Sequence, residues 1–306
     1  MPNDNDVELF LSDKLLNQIK KIAESNATLL ILGESGVGKD VVANRVHELS
    51  HRSLREPVIL NVAAIPSDLL EKELFGSIKG AFTGAEEDFI GKFRLAHNST
   101  LILDEIGELP LNIQGKLLNA IEKGIIQPVG SNDTYNVNCR IIGISNKNLL
   151  SLVDNGLFRK DLYYRLNVVS LHIPPLRDRV SEIKKIAKSF IREFSTESID
   201  YSISETALND LVFHDWPGNL REMKNCLERA VTLSDKEEIT SEYLLLSSDN
   251  NVNISCITLK EAINNFKRKY IMQVLESNDW NVTRSAKILD IQRTYLSRLI
   301  KELCNE

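Results

Sequence analysis

Three short apolar runs give the clearest hydrophobic pattern in the chain. They occupy residues 28–32, 99–103 and 140–145, and each is followed directly by a glycine or a polar residue. Continuous rather than alternating apolar runs are typical of strands in a parallel sheet, because helices cover both faces of such a sheet. The pattern therefore predicts an α/β fold, a parallel sheet flanked by helices, with these runs as strands.

Apolar residues at helical spacing dominate the region that follows. Residues three or four apart lie on one face of a helix, and such a face normally packs into a core. One stripe comprises Ile183, Ile186, Ala187, Phe190, Ile191 and Phe194, and a second comprises Leu220, Met223, Leu227, Ala230 and Val231. We therefore predict a short N-terminal segment over 1–12, an α/β subdomain over 13–175 and a helical lid over 176–245.

A further helical region ends the chain. A polar run rich in Ser, Asp and Asn predicts a linker over 246–256, and residues 257–306 predict an all-α domain. Within it, an amphipathic helix over about 259–274 leads into two short helices at 282–289 and 292–301. The linker therefore separates a small C-terminal domain from the rest of the chain.

The two short helices predict a helix-turn-helix. Ala286 is small enough for the helices to cross closely, and Asp290 in the turn tolerates a left-handed backbone better than most residues. A generic three-helix bundle is the alternative. In a helix-turn-helix, the early residues of the second helix face the bases of the major groove. The side chains presented in this way are Gln292, Arg293, Thr294, Tyr295, Arg298 and Lys301.

The charge of the chain favours DNA binding only at this end. The whole sequence of 306 residues carries a formal net charge of −6, but residues 260–306 hold nine Lys or Arg and six Asp or Glu, a net charge of +3. A locally basic segment is the electrostatic pattern expected where a protein approaches a phosphate backbone. We therefore expect double-stranded DNA as a partner of the C-terminal domain.

A glycine-rich turn follows the first apolar run. In such a turn between a strand and a helix, backbone N–H groups and the positive end of the helix dipole point at one place, which suits phosphate oxygens. Lys39 would reach the β- and γ-phosphates, and the next residue of a P-loop normally offers a hydroxyl to Mg²⁺, whereas here it is Asp40. The candidate nucleotide-binding residues of this turn are Gly33, Glu34, Ser35, Gly36, Val37, Gly38, Lys39 and Asp40.

Two carboxylates, Asp104 and Glu105, follow the second apolar run. An acidic pair after a strand is often only part of an exposed loop, but a P-loop earlier in the chain favours nucleotide hydrolysis. In this Walker B arrangement, the first acid holds the metal ion and the second orients the attacking water. The third run is followed by Asn146, which could sense the γ-phosphate or the water. We therefore expect ATP and Mg²⁺ as ligands, with Asp104 at the metal.

Two arginine-containing segments come later. Residues 158–165 are Phe-Arg-Lys-Asp-Leu-Tyr-Tyr-Arg, and residues 216–222 are Trp-Pro-Gly-Asn-Leu-Arg-Glu. An arginine supplied by a neighbouring molecule can stabilise the charge that develops during phosphoryl transfer. Taken alone, either segment would indicate only solvated or ion-paired surface arginines.

One segment places an aromatic side chain among residues with very small ones. It is the hexapeptide Gly80, Ala81, Phe82, Thr83, Gly84 and Ala85. Its glycines open backbone conformations that other residues avoid, and only Phe82 and Thr83 have much to offer a partner. The segment is either a contact loop or a turn whose Phe82 folds back into the core. The P-loop and the acidic pair favour the contact loop.

Composition agrees with a folded cytoplasmic protein that has no contact with a membrane. Hydrophobic residues make up 42% of the chain, no apolar run approaches the length of about 18 residues that indicates a membrane span, and the acidic start is unlike a targeting signal. The cysteines at 139, 226, 256 and 304 have no metal-ligand spacing. We therefore expect reduced thiols.

His47 and His51 form a motif that points to a different chemistry. With a glutamate between them, they fit the pattern of zinc proteases, in which two histidines one helical turn apart bind the metal. The helix after the P-loop is expected to bury Val42, Val46 and Leu49. That arrangement would leave both histidines on a solvated face, and we therefore expect no zinc site.

Taken together, these motifs resemble the AAA+ ATPase domain of bacterial enhancer-binding proteins, the nitrogen regulator C family that activates sigma-54 RNA polymerase. The resemblance covers roughly residues 8–245 and includes 73–76 and 103–110 besides the segments above. Residues 80–85 are similar to the family's signature loop, and the C-terminal segment resembles the Fis-type domain that ends most members. The family usually has Glu at the position of Asp40, so that an acid there is expected.

The resemblance also implies roles for single residues. Phe82 and Thr83 would contact sigma-54 and transmit the nucleotide state to the closed promoter complex. Asn61 would couple the Walker B residue Glu105 to the nucleotide. The other implied roles are a first sensor at Asn146, arginine fingers across the subunit interface at Arg159 and Arg165, and a second sensor at Arg221.

The implied function is that of a sigma-54-dependent transcriptional activator. A ring of subunits, hexameric by resemblance, would hydrolyse Mg-ATP between subunits and open the promoter, while the C-terminal domain holds the ring at an upstream enhancer site. Only about a dozen residues precede the ATPase region. We therefore expect no receiver domain and control in trans by another protein, as in the phage-shock activator and the type III secretion regulators that the chain resembles.

Two other functions stay open. The chain could be a DNA-binding repressor whose ATPase fold is a ligand-responsive scaffold, or a general AAA+ remodeller or helicase. The intact residues Phe82, Thr83, Glu105, Arg159 and Arg165 argue against the repressor. The signature loop has no use in a general remodeller.

Overall fold

The computed structural model describes residues 13–82, 85–195, 199–246, 267, 270–272, 274, 275, 278 and 280–304; the side chains of 13, 14 and 301–304 are not described. The predicted segment 1–12, residues 247–256 of the linker, the loop residues Thr83 and Gly84, and the Lys301 side chain lie outside the described part. The chain divides into two compact units, Met1–Asp178 with Asp215–Asn225, and Arg179–His214 with Cys226–Glu306. The predicted domain boundaries stay predictions.

The first unit alternates helices and strands. Its helices are α1 (Asp13–Ala23), α2 (Lys39–Glu48), α3 (Ser67–Phe75), α4 (Lys92–Leu95), α5 (Leu111–Lys123), α6 (Leu149–Asp154) and α7 (Lys160–Leu166). Its strands are β1 (Leu29–Leu32), β2 (Val58–Asn61), β3 (Thr100–Asp104), β4 (Ile125–Ile126), β5 (Tyr135–Asn136), β6 (Arg140–Ser145) and β7 (Val169–His172). Single 3-10 turns lie at Val62–Ala64, Ile106–Glu108 and Leu176–Asp178.

Five strands of the described chain form one parallel sheet in the order β2-β3-β6-β1-β7. The three predicted strands, β1, β3 and β6, are its centre, which confirms the α/β prediction. Because the strands run in the same direction, their carboxyl ends meet at one edge of the sheet. The residues that follow these strands, beginning at 33, 105 and 146, therefore lie side by side at that edge.

The central strands are buried on both faces, and this explains their continuous apolar runs. In β1, Leu29 and Ile31 pack with Val46 of α2, whereas Leu30 packs with Leu117 of α5 in a second apolar cluster. All five side chains are fully buried. Burial of one such side chain contributes about 1.5–3 kcal/mol, so that the sheet forms a stable base for the turns at its edge.

The prediction for the face of α2 was partly wrong. Val42 and Val46 are buried as expected, but Leu49 is 36% exposed and His47 only 3% exposed. The His47 ring contacts the Thr100 hydroxyl at 2.8 Å and the Arg55 carbonyl at 2.9 Å. Because both ring nitrogens have a polar partner, the imidazole can be buried without losing its hydrogen bonds. His47 is therefore structural, and of the two histidines only His51 lies at the surface.

The second unit is mainly helical. Its elements are α8 (Val180–Phe194), β8 (Ser202–Ile203), α9 (Glu205–Phe213), β9 (Glu238–Ile239), α11 (Ser241–Leu244), α12 (Val282–Ile288) and α13 (Arg293–Cys304). Helix α10 (Asn219–Leu233) begins in the first unit and continues in the second. The stripe on α8 is buried from Ile183 to Ile191, as predicted. Among the described helices, none is long and apolar enough to cross a membrane.

Helices α12 and α13 form the predicted helix-turn-helix. Asn281 caps α12 by accepting a hydrogen bond from the Arg284 N–H at 3.1 Å. Asp290 has the left-handed backbone expected of it, with φ 51°. Ala286 and Leu296 are buried at 3% and 0% exposure in the small core between the helices. The small side chain of Ala286 therefore stands at the crossing, as the sequence predicts.

Candidate nucleotide site and contact loop

The turn between β1 and α2 has the backbone shape of a phosphate-binding loop. Gly36 and Gly38 have left-handed φ angles of 77° and 91°. A Cβ atom at Gly36 would lie 2.4 Å from the carbonyl oxygen of Gly218, a separation that atoms do not adopt. Glycine at 36 is therefore required both by the backbone and by the segment that packs against the turn.

The side chain of Lys39 forms hydrogen bonds with the backbone of this turn. Its side chain is buried, and Nζ donates hydrogen bonds to the carbonyl oxygens of Gly33 at 2.9 Å and Glu34 at 2.8 Å. Burial lowers the pKa of Lys39, because the charged amine loses hydration. Nearby carboxylates oppose this change and favour the charged form; they are Glu105, Asp104 and Asp40. The turn thus places a cationic side chain next to the position where phosphate oxygens are expected to bind.

The acidic pair lies at the end of β3, which is separated from β1 by the single strand β6. Glu105 has a left-handed backbone, with φ 54°, and its N–H donates to Asp104 Oδ1 at 3.0 Å. Asn61 stands opposite Asp104 in the register of β2 and β3, and its amide donates to Asp104 Oδ2 at 3.1 Å. In this conformation, Asn61 is thus paired with Asp104 rather than with the carboxylate to which the resemblance assigned it. Asp104 keeps its orientation through two hydrogen bonds.

Asn146 follows β6 at the same edge and is exposed. The next residue, Lys147, forms an ion pair with Glu108 at 2.7 Å. The Ser145 hydroxyl accepts from the Lys147 N–H at 3.0 Å, which fixes the turn after the strand. Asn146 is therefore held on a short, well-connected turn next to the acidic pair.

The segment 216–222 packs directly on the phosphate turn. The Leu220 N–H donates to the Gly36 carbonyl at 2.9 Å, and Arg221 Nη1 lies 3.3 Å from the Ser35 hydroxyl. The structure therefore brings the predicted sensor Arg221 to the phosphate turn. Arg221 was the one residue of this segment to which the resemblance assigned a role.

Two further polar residues, Asn219 and Arg177, were missed by the sequence analysis. Arg177 makes two hydrogen bonds to the Glu34 carboxylate, at 2.5 and 2.9 Å, and Asn219 Nδ2 donates to the same carboxylate at 3.2 Å. The Arg177 guanidinium, with Asn219, lowers the pKa of Glu34 to about 2. Asn219 stands inside a segment already noted for its arginine, but no pattern distinguishes Arg177 from other surface arginines.

The two predicted finger arginines lie on or near α7 and are exposed. Arg159 forms a bidentate pair with Asp161, at 3.0 and 2.7 Å, and Arg165 Nη2 lies 3.5 Å from the Ile121 carbonyl. In the described chain, these contacts involve α5 and α7 and not the phosphate turn. Both guanidinium groups therefore stand at the surface.

Gln114 fixes the backbone beside Arg159 and was also missed. It is fully buried on α5, and its amide donates to the carbonyls of Leu109 at 2.8 Å and Leu157 at 3.1 Å. Its oxygen accepts from the Arg159 N–H at 2.7 Å. One buried side chain thus joins the segment after the acidic pair to the start of α7.

The loop predicted to make contacts has an ordered stem. The Ile78 N–H donates to the Val129 carbonyl at 3.1 Å, and the Gly80 N–H donates to the Ala85 carbonyl at 2.8 Å. Phe82 is 38% exposed, so that it does not fold into the core. The Lys72 amine lies 5.3 Å from the centre of the Phe82 ring, at the distance of a cation–π contact. The aromatic group is thus presented at the surface.

The predicted DNA-contacting side chains lie on one helix. Gln292, directly before α13, and the following side chains through Tyr295 are exposed, as is Arg298. The Arg298 guanidinium lies 5.8 Å from the Tyr295 ring. In contrast, Leu296 of the same helix is buried, which gives α13 one apolar and one polar face.

Comparison with known families covers nearly the whole chain. Residues 10–172 match the sigma-54 interaction domain, residues 177–253 match the AAA+ ATPase lid domain, and residues 263–303 match the Fis family of bacterial regulatory proteins. The first match alone includes more than half of the chain.

Individual relatives agree with these matches. The chain is 38% identical to the Nif-specific regulatory protein of Azotobacter vinelandii over 95% of this chain and 57% of that protein. It is 42% identical to the regulatory protein AtoC of Escherichia coli over 92% of this chain and 64% of that one. The chain thus spans about three fifths of these relatives' length.

A solved structure gives the same result for the fold. The crystal structure of NtrX from Brucella abortus in complex with ADP superposes with a TM-score of 0.75 at 28% identity, over 98% of this chain and 71% of that one. The chain therefore belongs to the family of sigma-54-dependent transcriptional activators, whose sigma-54 interaction domain, AAA+ lid and Fis-type helix-turn-helix it carries.

Proposed function

We propose that this protein is a sigma-54-dependent transcriptional activator that couples ATP hydrolysis to promoter opening. The proposal rests above all on one observation: the exposed Phe82 stands on a loop of the same unit that contains the phosphate turn and the acidic pair. The sigma-54 interaction domain match, over 10–172, includes all three. Phe82 and Thr83 are the proposed contacts with sigma-54, together with Gly80, Ala81, Gly84 and Ala85.

The residues of the turn and the strand ends fit Mg-ATP. Glycine is required at 36, Lys39 supplies a buried cation, and the carboxylates at the end of β3 are the oxygen ligands that Mg²⁺ prefers. Mg²⁺ held by Asp104 would neutralise charge on the phosphate oxygens. The amides of 33–38 and the Lys39 amine would hold the phosphates, and Glu105 would orient the attacking water.

Other residues at this edge respond to the nucleotide. Arg221, already on Ser35, and Asn146, beside the acidic pair, are the proposed sensors of the γ-phosphate. Asn61 reports through Asp104, because the two side chains share a hydrogen bond. A change at the phosphates would thus alter the orientation of groups on three neighbouring strands.

The exposed arginines support an assembly of several copies. An arginine supplied to the transferred phosphoryl group accelerates hydrolysis by about 10³–10⁵. Arg159 and Arg165 are exposed, and their hydrogen bonds go to Asp161 and to the Ile121 carbonyl, which favours their action on a neighbouring copy. We propose a closed ring with head-to-tail interfaces, hexameric as in the related AAA+ proteins.

The C-terminal helices supply the proposed contact with DNA. The exposed polar face of α13 would enter the major groove, and a site upstream of the promoter would raise the concentration of the ring near the polymerase. The Lys301 side chain lies outside the described residues but belongs to the same proposed face. Since polymerase and chromosomal DNA are the proposed partners, the cytoplasm is the proposed location.

Promoter opening with purified components tests this function. The template carries a sigma-54 promoter and an upstream site selected by the protein from random DNA, and unpaired thymines report the open complex. We expect opening that requires both ATP and sigma-54, and no opening when the polymerase carries a different sigma factor. ATP hydrolysis without opening would contradict the proposal. Specific DNA binding without hydrolysis would favour the repressor.

A further inference from the structure

Three side chains form a clamp around the phosphate turn. The clamp consists of Glu34 within the turn, Arg177 after β7 and Asn219 at the start of α10. All three belong to the first unit. We propose that they are positioning residues, which hold the turn in its phosphate-binding shape before nucleotide arrives and neutralise the charge of Glu34. The inference rests on the proposed ATPase function.

Asn219 provides the rigid part of the clamp. It is fully buried and has a left-handed φ of 54°, a conformation that persists only where the surroundings determine it. Its Oδ1 accepts from the Leu176 N–H at 2.8 Å, and its Nδ2 donates to the Ser35 carbonyl at 3.0 Å as well as to Glu34. The side chain therefore ties the turn to two other segments of the same unit.

Arg177 and Glu34 provide the charged part. The two side chains are 39% and 42% exposed, and ion pairs at such sites stabilise a fold by only about 0–1 kcal/mol. Stabilisation of the fold therefore does little to explain why Arg177 and Glu34 are paired. A carboxylate in a phosphate-binding turn would repel the polyphosphate, however, and the bidentate guanidinium cancels that charge.

The clamp also fixes the position of the backbone that carries the proposed sensor, Arg221. Asn219 comes two residues before Arg221, and the intervening Leu220 N–H is bonded to the Gly36 carbonyl. The backbone that carries Arg221 is therefore fixed to the turn at two consecutive residues. A loosened clamp would shift Arg221 away from Ser35 as well as relax the turn.

Nucleotide binding tests the charge argument apart from turnover. Calorimetry with ADP would compare wild type with Arg177→Gln, Glu34→Gln and the double variant. Arg177→Gln leaves Glu34 without a cationic partner, so that its charge repels the phosphates, and we expect the Kd for ADP to rise about tenfold. The double variant removes both charges, and its Kd should return to within about threefold of wild type.

The control is Lys188→Gln, which removes a cation from an exposed ion pair with Glu205 in the second unit. It should leave ADP binding unchanged. In steady-state assays, Arg177→Gln should raise the KM for ATP more than it lowers kcat. Wild-type affinity in Arg177→Gln, or a double variant as weak as the single one, would overturn the charge argument.

Hydrogen exchange tests the rigid part without nucleotide. Asn219→Gly keeps the left-handed backbone free of strain and removes the side chain that makes the three hydrogen bonds. We expect faster amide exchange over 33–38 than in wild type, together with weaker ADP binding. Wild-type exchange and affinity in this variant would overturn the inference. A wild-type protein that bound no ADP would overturn the proposed function itself. If wild type hydrolyses ATP but the clamp variants keep its ADP affinity and amide exchange, only the clamp is overturned.

Discussion

At the scale of single residues, the site distinguishes similar side chains by what surrounds them. Glu105 and Glu108 are three residues apart and have the same chemistry, but Glu108 is paired with Lys147 at 2.7 Å on the surface. Glu105 instead stands on a left-handed backbone directly after β3, beside the buried Lys39. Of these two glutamates, Glu105 is therefore the one that we propose to act on a water at the phosphates.

The two glutamates therefore form a matched pair for mutagenesis. Glu105→Gln keeps the shape of the side chain and removes the base, and we expect ATP turnover to fall by about 10²–10⁴ with ADP binding retained. Glu108→Gln makes the same chemical change in an exposed ion pair, and should leave turnover within about twofold, since such a pair contributes at most about 1 kcal/mol. Steady-state hydrolysis measures both. Equal losses in the two variants would refute the role of Glu105.

His47 gives a pH dependence whose sign is fixed by its burial. Loss of hydration lowers the pKa of His47 below its ordinary value near 6.5, and the neutral ring donates from Nε2 to the Arg55 carbonyl. The unfolded chain then binds more protons than the folded one below about pH 6.5. The stability contributed by the neutral ring is present above that pH and is lost as the pH falls.

Thermal unfolding between pH 8 and pH 5 checks this expectation. His47→Gln cannot titrate, so that its midpoint should fall less with acidification than that of wild type. His51→Gln changes an exposed histidine in the turn after the same helix and should follow the wild-type curve. A His47→Gln curve parallel to wild type would show that the buried ring does not control the acid response.

At the scale of elements, the contact loop depends on the segment beneath it. Gly130 has a left-handed φ of 80°, and a Cβ atom there would lie 2.7 Å from the Ala81 Cβ. Gly156 has a similar φ of 71°, but a Cβ atom there would meet nothing within 4 Å. The two glycines therefore share a backbone requirement, and only Gly130 also leaves room for the loop.

Alanine at each glycine separates these two effects. Both variants should lose about 1–2 kcal/mol of stability from the left-handed backbone. Only Gly130→Ala should displace the loop, and we expect it to slow promoter opening by about tenfold, equivalent to about 1.4 kcal/mol in the barrier, at an almost unchanged rate of ATP hydrolysis. Parallel measurements of opening and hydrolysis decide the matter. Equal opening by the two variants would contradict the dependence of the loop on Gly130.

The central strands and the phosphate turn could be predicted because their signals are local. Leu30 and its neighbours form a continuous apolar run, and Lys39 closes a glycine-rich turn directly after it. The inward turn of His47 could not be predicted, because it depends on the Arg55 carbonyl and on Thr100 of another strand. Gln114 was missed for the same reason, since its three partners come together only in the folded chain.

At the scale of the whole molecule, the proposed ring can be tested by mixing two inactive variants. Lys39→Ala damages the nucleotide site and leaves the finger intact, whereas Arg159→Ala damages only the finger offered to a neighbour. Mixed rings then contain interfaces with an intact site and an intact finger, and we expect the mixture to recover ATP hydrolysis.

A second mixture is the control for this complementation. Lys39→Ala and Glu105→Gln both damage the subunit's own site, so that no subunit in their mixed rings has a complete one. This mixture should stay inactive. Recovery in the control, or none in the first mixture, would contradict hydrolysis shared between subunits.

Above all, we propose that residues 80–85 transmit ATP hydrolysis to sigma-54. The most direct measurement is the number of open complexes formed per ATP hydrolysed, at one sigma-54 promoter, by wild type and Thr83→Ala. We predict that Thr83→Ala hydrolyses ATP at the wild-type rate and opens almost no promoters. If Thr83→Ala opens as many promoters per ATP as wild type, the loop is not the contact that we propose.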